Sequence, residues 1–120
     1  MKKVKIENPQ LLDMINLLKK AARENNAKIW KTIAETLSKS RSRRVKVNLS
    51  QINRHTEKGQ IAVIAGKVLG SGALNHPTTV AAFAFSTAAM IKIKKARGKC
   101  LTFPELVKKT PKGSNVKIVG

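Results

Sequence analysis

A chain of 120 residues with 42% apolar side chains fits one domain with a real hydrophobic core, which excludes a disordered basic tail. Twenty-five Lys and Arg face only six Asp and Glu, a formal net charge of +19; such a surface repels itself and attracts polyanions, whether RNA, DNA, an acidic membrane or an acidic protein. Cys100 is the only cysteine, so an internal disulfide and a cysteine zinc cluster are excluded, and with no apolar leader or long apolar run a cytoplasmic protein without signal peptide or membrane span is expected.

Residues 1–7 alternate basic and apolar side chains and read as an extended arm. Asn8-Pro9 reads as an N-cap followed by proline at the first helical position. From Gln10 to about Asn25, Leu11, Met14, Ile15, Leu18 and Ala22 recur at helical spacing, and Asn25-Asn26 ends the run. A second helix is expected from about Lys28 to Lys39, with Trp30, Ile33, Ala34 and Leu37 on one face. Two amphipathic helices joined by so short a turn predict a helical hairpin over residues 1–40.

Ser38-Lys39-Ser40-Arg41-Ser42-Arg43-Arg44 is small, basic and without an apolar anchor, and separates the hairpin from a mixed α/β core over 45–120. Val45 to Leu49 alternates as a strand does. Ser50 is placed to cap a short helical turn through Arg54, and Gln60 to Ala65 is a continuous apolar run suited to a buried strand. It leads into a glycine segment, Gly66 to Gly72, expected to be a loop. Thr79 to Phe85 reads as a second buried strand, and Ser86 caps a helix through Arg97 closed by Gly98. Thr102 and Glu105 form a capping box stapled by Leu101 and Leu106, opening a helix to about Lys109. Thr110 to Gly113 is a turn and Val116 to Val119 a last strand. The fold class is α/β: an N-terminal helical hairpin followed by a compact core of short elements, all in one domain.

Which polyanion the charge serves is narrowed by what the chain lacks. Aromatic content is 3%, comprising Trp30, Phe83, Phe85 and Phe103, too little for a platform that stacks unpaired bases. Folded RNA read through phosphates and shape fits better. The charge is spread along the chain: residues 1–44 hold twelve basic and four acidic side chains, hence +8, and residues 45–120 thirteen and two, hence +11. Arg41, Arg43, Arg44 and Lys46 fall within six residues, with Lys39 just before them. Guanidinium forks match phosphate oxygens, and short serines let a backbone approach. A basic run is ordinarily a solvated linker; in so cationic a chain it points to a polyanion instead.

The glycine segment is spaced G-x-x-x-G-x-G, which is neither a dinucleotide fingerprint nor a phosphate loop ending in Gly-Lys-Ser/Thr. No Asp or Glu occurs from Lys58 to Arg97 to hold a Mg-nucleotide. A tight turn and a set of backbone N–H groups meeting phosphate beside Lys67 are equally consistent readings. Two histidines, His55 and His76, without a nearby carboxylate make a poor metal site. Both are placed to donate to phosphate or ribose, His76 being as readily an ordinary surface histidine. Cys100 reads as a core residue, and six scattered acids leave no material for paired-carboxylate catalysis.

The order of motifs resembles a known family. Asn48 to Arg54 (NLSQINR), Gly66 to Leu74 (GKVLGSGAL), Val80 to Ser86 (VAAFAFS), Ala96-Arg97-Gly98 and Pro111-Lys112-Gly113 look like the archaeal and eukaryotic large-subunit ribosomal protein eighteen, a relative of the universal large-subunit protein fifteen. The resemblance covers nearly the whole chain. It implies a non-enzymatic structural component of the large subunit, built on irregular β-β-α turns and needing no cofactor or small-molecule substrate. Its implied partners are large-subunit rRNA and neighbouring ribosomal proteins. The resemblance implies rRNA contacts along Arg41–Lys46, Asn53–His55 and the Gly66–Gly72 loop, that is Arg41, Arg43, Arg44, Lys46, Asn53, Arg54, His55, Lys67, Gly70, Ser71 and Gly72; Lys39, His76 and Lys112 are further expected RNA contacts. Where many relatives have paired glycines, this chain has Arg97-Gly98.

Three other classes compete with this one. A DNA-binding or chromatin-like protein needs a recognition helix or dimer surface, and neither is evident. A membrane-surface helix at Gln10–Asn25 lacks interfacial aromatics. An RNA-modifying enzyme working through Cys100 or His55 lacks supporting acids.

Overall fold

The computed structural model describes residues 9–39, 45–57 and 59–120. The expected N-terminal arm, the Asn8 cap and the cluster of Arg41, Arg43 and Arg44 lie outside the described residues. Two helices come first, α1 (Pro9–Asn25) and α2 (Lys28–Leu37). Leu11, Ile15, Leu18 and Ala21 turn one stripe of α1 inward against Trp30, Ile33, Ala34 and Leu37 of α2, the hairpin expected. The break between them is carried by Asn26, which takes φ 50, a left-handed conformation that asparagine tolerates better than most residues.

The remainder alternates strand and helix: β1 (Val45–Asn48), α3 (Leu49–His55), β2 (Ile61–Leu69), β3 (Thr79–Phe85), α4 (Thr87–Lys95), β4 (Lys99–Leu101), α5 (Phe103–Lys109) and β5 (Val116–Ile118). All four pairings in the sheet are parallel, with β2 at the centre. One side of β2 pairs with β3, which carries β4 beyond it. The other side is shared by two segments, β5 beside Ile61–Val63 and β1 beside Gly66–Leu69. They meet end to end, for Gly120 comes up against the Val45 side chain. A single edge is thus assembled from the C-terminus and the middle of the chain.

A parallel strand in such a sheet needs apolar cover on both faces. Ile61, Val63 and Ala65 join the cluster of α1, α2 and α5. Ala62, Ile64 and Val68 join Leu49 and Ile52 of α3 and Ala89 and Ile93 of α4. The sheet therefore lies between two helical layers, and the buried strands read at Gln60–Ala65 and Thr79–Phe85 are those seen. Trp30 fastens the hairpin to the far end of the chain: its Nε1 donates to the Pro111 carbonyl at 2.7 Å.

Several local expectations need correction. The strand does not stop at Ala65 but runs to Leu69, so Gly66 and Lys67 belong to β2 and only Gly70–Gly72 lie in the loop. Gly66 is required by closeness: a Cβ there would strike the Val45 carbonyl of β1. The register against β3 also shifts between Ile64 and Lys67, an irregularity that a glycine eases. Helix α3 starts earlier than expected. Asn48, not Ser50, is its N-cap, forming a capping box with Gln51. The Ser86 cap and the Thr102–Glu105 box form as read. Hydrogen bonds from the Thr102 backbone and hydroxyl hold the Glu105 carboxyl below the usual carboxylate range. At the end of α4, Arg97 rather than Gly98 takes the left-handed position, φ 64. Arg97 N donates to Lys94 O and Gly98 N to Ile93 O, each at 2.9 Å, a helix end that glycine normally occupies. A side chain in that conformation costs about 1–2 kcal/mol. The short β4 that follows had no signal, being three residues with one apolar side chain of size.

Gly66→Ala should destabilise the protein by about 3 kcal/mol or more, because neither β1 nor β2 can move without breaking its ladder. Urea unfolding should show a lower midpoint with an unchanged slope; a midpoint equal to that of the parent chain would show that β1 is not seated against β2 at that residue.

Candidate nucleic-acid interface

The strands run in one direction, so the sheet has a carboxyl edge and an amino edge. The expected contact residues divide between the two. At the carboxyl edge, β2 hands over to Gly70-Ser71-Gly72, which lies between the starts of α3 and α4. Gly70 packs on Ala88 and Ala89, and Gly72, at φ 87, comes so close to α3 that a Cβ would stand 2.6 Å from that of Ser50. The loop's carbonyls are engaged by neighbouring helices: Ser71 O accepts from Ser50 N at 3.2 Å. Gly70 O and Gly72 O both accept from Lys92 Nζ, at 2.7 and 3.1 Å. A lysine of α4 therefore clamps the loop through its carbonyls. Lys92 was not among the expected site residues, since nothing in its Ile-Lys-Ile-Lys-Lys surroundings signals a contact with a loop so far back in the chain.

Near the same edge two lysines are neighbours by register. Lys46 of β1 pairs with Lys67 of β2. Val47 and Val68 beside them are buried on the α3/α4 face, so both lysines project to the opposite face, and both are exposed. Adjacent strands lie about 4.8 Å apart, and like charges held side by side repel. Arg44 immediately precedes β1 in the sequence.

Arg54 and His55 are exposed in the last turn of α3, and Lys39 is exposed after α2. Asn53 serves the structure: its Oδ1 accepts from Asn75 N at 2.9 Å, pinning the loop from β2 to β3 onto α3. His76 is half-buried, its Nδ1 2.9 Å from the hydroxyl of the buried Thr78. His76 and Lys112 belong to the amino edge, where β3 and β5 begin, and are not brought together with the Gly70–Gly72 loop. Among the described residues, the expected ones do not gather in one patch.

The charge is left uncompensated within the fold. Among the described residues one ion pair forms, Lys20 with Glu24 at 3.7 Å across one exposed helical turn, and such pairs contribute little. Among the described residues no three His, Cys, Asp or Glu side chains converge as metal ligands would. Cys100 is half-buried against the α3/α4 cluster. Burial pushes its thiol pKa up, against a smaller opposing pull from Lys94, which favours the protonated form.

Comparison with known proteins adds identity to this geometry. Residues 1–120 match the family described as ribosomal protein 60S L18 and 50S L18e. A large ribosomal subunit protein eL18 from Methanospirillum hungatei is 46% identical over 112 residues, covering 93% of each chain. That of Methanoregula boonei is 47% identical over 112 residues with the same coverage. The corresponding protein of Methanococcus maripaludis is 44% identical over 119 residues, 99% of each chain.

Because Lys92 holds the glycine loop through two carbonyls, Lys92→Met should speed amide exchange across residues 70–74 while leaving the β2 core protected. Exchange rates in that loop unchanged from the parent would show that the clamp contributes nothing in solution.

Proposed function

The chain belongs to the ribosomal protein L18/L18e family, and from that premise we propose that it is a structural constituent of the large ribosomal subunit that binds rRNA through phosphates at the carboxyl edge of its sheet. It works in the cytoplasm as part of the ribosome and catalyses nothing. Its relatives are ribosomal proteins, and its own cysteine is held in the protonated form. Neighbouring proteins of the large subunit are its other partners.

The observation that carries the reading is the in-register pair Lys46–Lys67, with no acid to offset it in either strand. Holding two ammonium groups side by side is unfavourable in the free protein and favourable once a phosphate lies between them. Arg41, Arg43 and Arg44 extend the same charge along the chain, while Arg54 and His55, in the last turn of α3 on the opposite face of the sheet, add donors apart from the lysine pair. The Gly70–Gly72 loop carries an exposed ammonium, Lys92, on two of its carbonyls, which offsets their repulsion of a phosphate. The protein thereby neutralises backbone charge and fixes the relative positions of rRNA segments. Lys39, Asn53, His76 and Lys112 are weaker members of the set, Asn53 and His76 because protein partners already engage them.

If six to ten phosphates are engaged, affinity for an rRNA fragment should fall by roughly a thousand- to a hundred-thousand-fold between about 50 and 200 mM salt. The double variant Lys46→Gln/Lys67→Gln should reduce the log–log salt slope by about two, one for each phosphate contact, while the free protein becomes no less stable. Duplex DNA should compete poorly. An unchanged slope in the double variant, or equal competition by DNA, would contradict the assignment.

A further inference from the structure

The amino edge of the sheet carries a cleft that the carboxyl-edge interface does not use. Four strand starts stand there in register: Val116 beside Ile61, Ile61 beside Thr79, and Thr79 beside Lys99. At about 4.8 Å per strand, the row is roughly 14 Å wide. The connections into these strands rise around it and border a hollow of about 410 Å³ that is broadly open to solvent. That volume lies within the roughly 300–1,000 Å³ of sites that take a small molecule.

Its lining is cationic and without acids. Arg97, Lys99 and Lys109 stand around it, with Gln60, Ser114 and Asn115 as neutral polar groups. The floor is rigid: Ile61 N donates to Asn115 O at 2.8 Å and Lys99 N to Thr78 O at 3.1 Å. Two of the lining residues, Arg97 and Asn115, hold left-handed backbone conformations, φ 64 and 59. The position of Arg97 is one that glycine would fill without strain. Arg97 adopts that conformation at a cost, and it is one of the residues that line the cleft.

We propose that this cleft receives a single unpaired nucleotide of the RNA, its phosphate held by Arg97, Lys99 and Lys109 and its sugar and base within the hollow. Concavity decides between this and a duplex backbone, for a smooth A-form helix meets a surface through phosphates and 2′-hydroxyls and does not enter a pocket. The guanidinium plane of Arg97 supplies a stacking surface that the aromatic-poor sequence otherwise lacks. The inference rests on the rRNA-binding reading and adds a second contact at the opposite end of the sheet, so that one rigid layer bridges two RNA segments.

The test uses the full chain in three titrations followed by NMR: the four nucleoside 5′-monophosphates in turn, inorganic phosphate, and a blunt RNA duplex. At least one monophosphate should give saturable shifts at Thr79, Gly98, Lys99 and Asn115, and bind more tightly than inorganic phosphate. Arg97→Gly should abolish those shifts with the melting temperature unchanged or raised, which separates loss of a ligand contact from loss of fold. In rRNA-fragment binding, Arg97→Gly/Lys109→Gln should lose about tenfold in affinity. The proposal is overturned if inorganic phosphate or the duplex shifts the cleft as strongly as every monophosphate, or if the double variant binds rRNA like the parent. Salt-dependent rRNA binding that survives the double variant would leave the carboxyl-edge interface standing and sink the cleft alone; absence of rRNA binding by the parent chain would sink both.

Discussion

Burial of β2 from both sides is the constraint on which the remaining structure depends. Ile61 to Gly66 are six consecutive buried residues, and a parallel strand of that kind is stable only between two apolar layers. One layer takes the inward stripes of α1, α2 and α5, and the other takes those of α3 and α4. Each large aliphatic side chain so buried contributes on the order of 1.5–3 kcal/mol. The apolar material of a 120-residue chain is largely consumed in this way, and the polar residues are left to the rim.

The rim is where this protein departs from an ordinary α/β fold. The cations left there greatly outnumber the acids, and ion pairing among the described residues compensates almost none of them. Apolar packing and backbone hydrogen bonds therefore hold the fold against its own charge. Many of these cations lie on the outer faces of the helices, and two groups stand at the ends of the sheet. The carboxyl edge presents Lys46 beside Lys67 with the clamped glycine loop near them, and the amino edge surrounds a cleft with Arg97, Lys99 and Lys109. For a structural constituent of the large ribosomal subunit, a rigid layer with charge at both ends is a means of fixing RNA segments relative to one another. Lys92 shows how an internal contact serves the same end: its ammonium is engaged by two carbonyls of the loop.

Much of this was legible in the sequence, and the reasons are physical. Helical periodicity exposed the inward faces of α1 and α2, because both helices are amphipathic and pack on one side only. Continuous apolar runs exposed β2 and β3, because both strands are covered on two faces. Caps at Ser86 and Thr102 were visible because their hydrogen bonds are local. What escaped was set by contacts distant in sequence. Gly66 looked like the start of a loop, yet it is a strand residue emptied of its side chain for β1, which comes much earlier in the chain. Gly98 looked like a helix cap, yet the cap conformation falls on Arg97. β4 has too few residues for a period, and its strand character comes from pairing with β3. The division of the cations between two edges follows from sheet topology, which spacing along the chain does not encode; Lys112 and Lys67 read as equivalent and lie at opposite ends.

As proposed, electrostatic contact with rRNA at the carboxyl edge of the sheet holds this chain in the large subunit. Sedimentation of large subunits reconstituted with the parent chain or with Lys46→Gln/Lys67→Gln, washed through increasing salt, tests it most directly. The parent should remain with the large subunit through moderate salt, and the variant should leave at distinctly lower salt. A parent chain that sediments free of the large subunit at low salt, or a variant released at the same salt as the parent, would contradict the account.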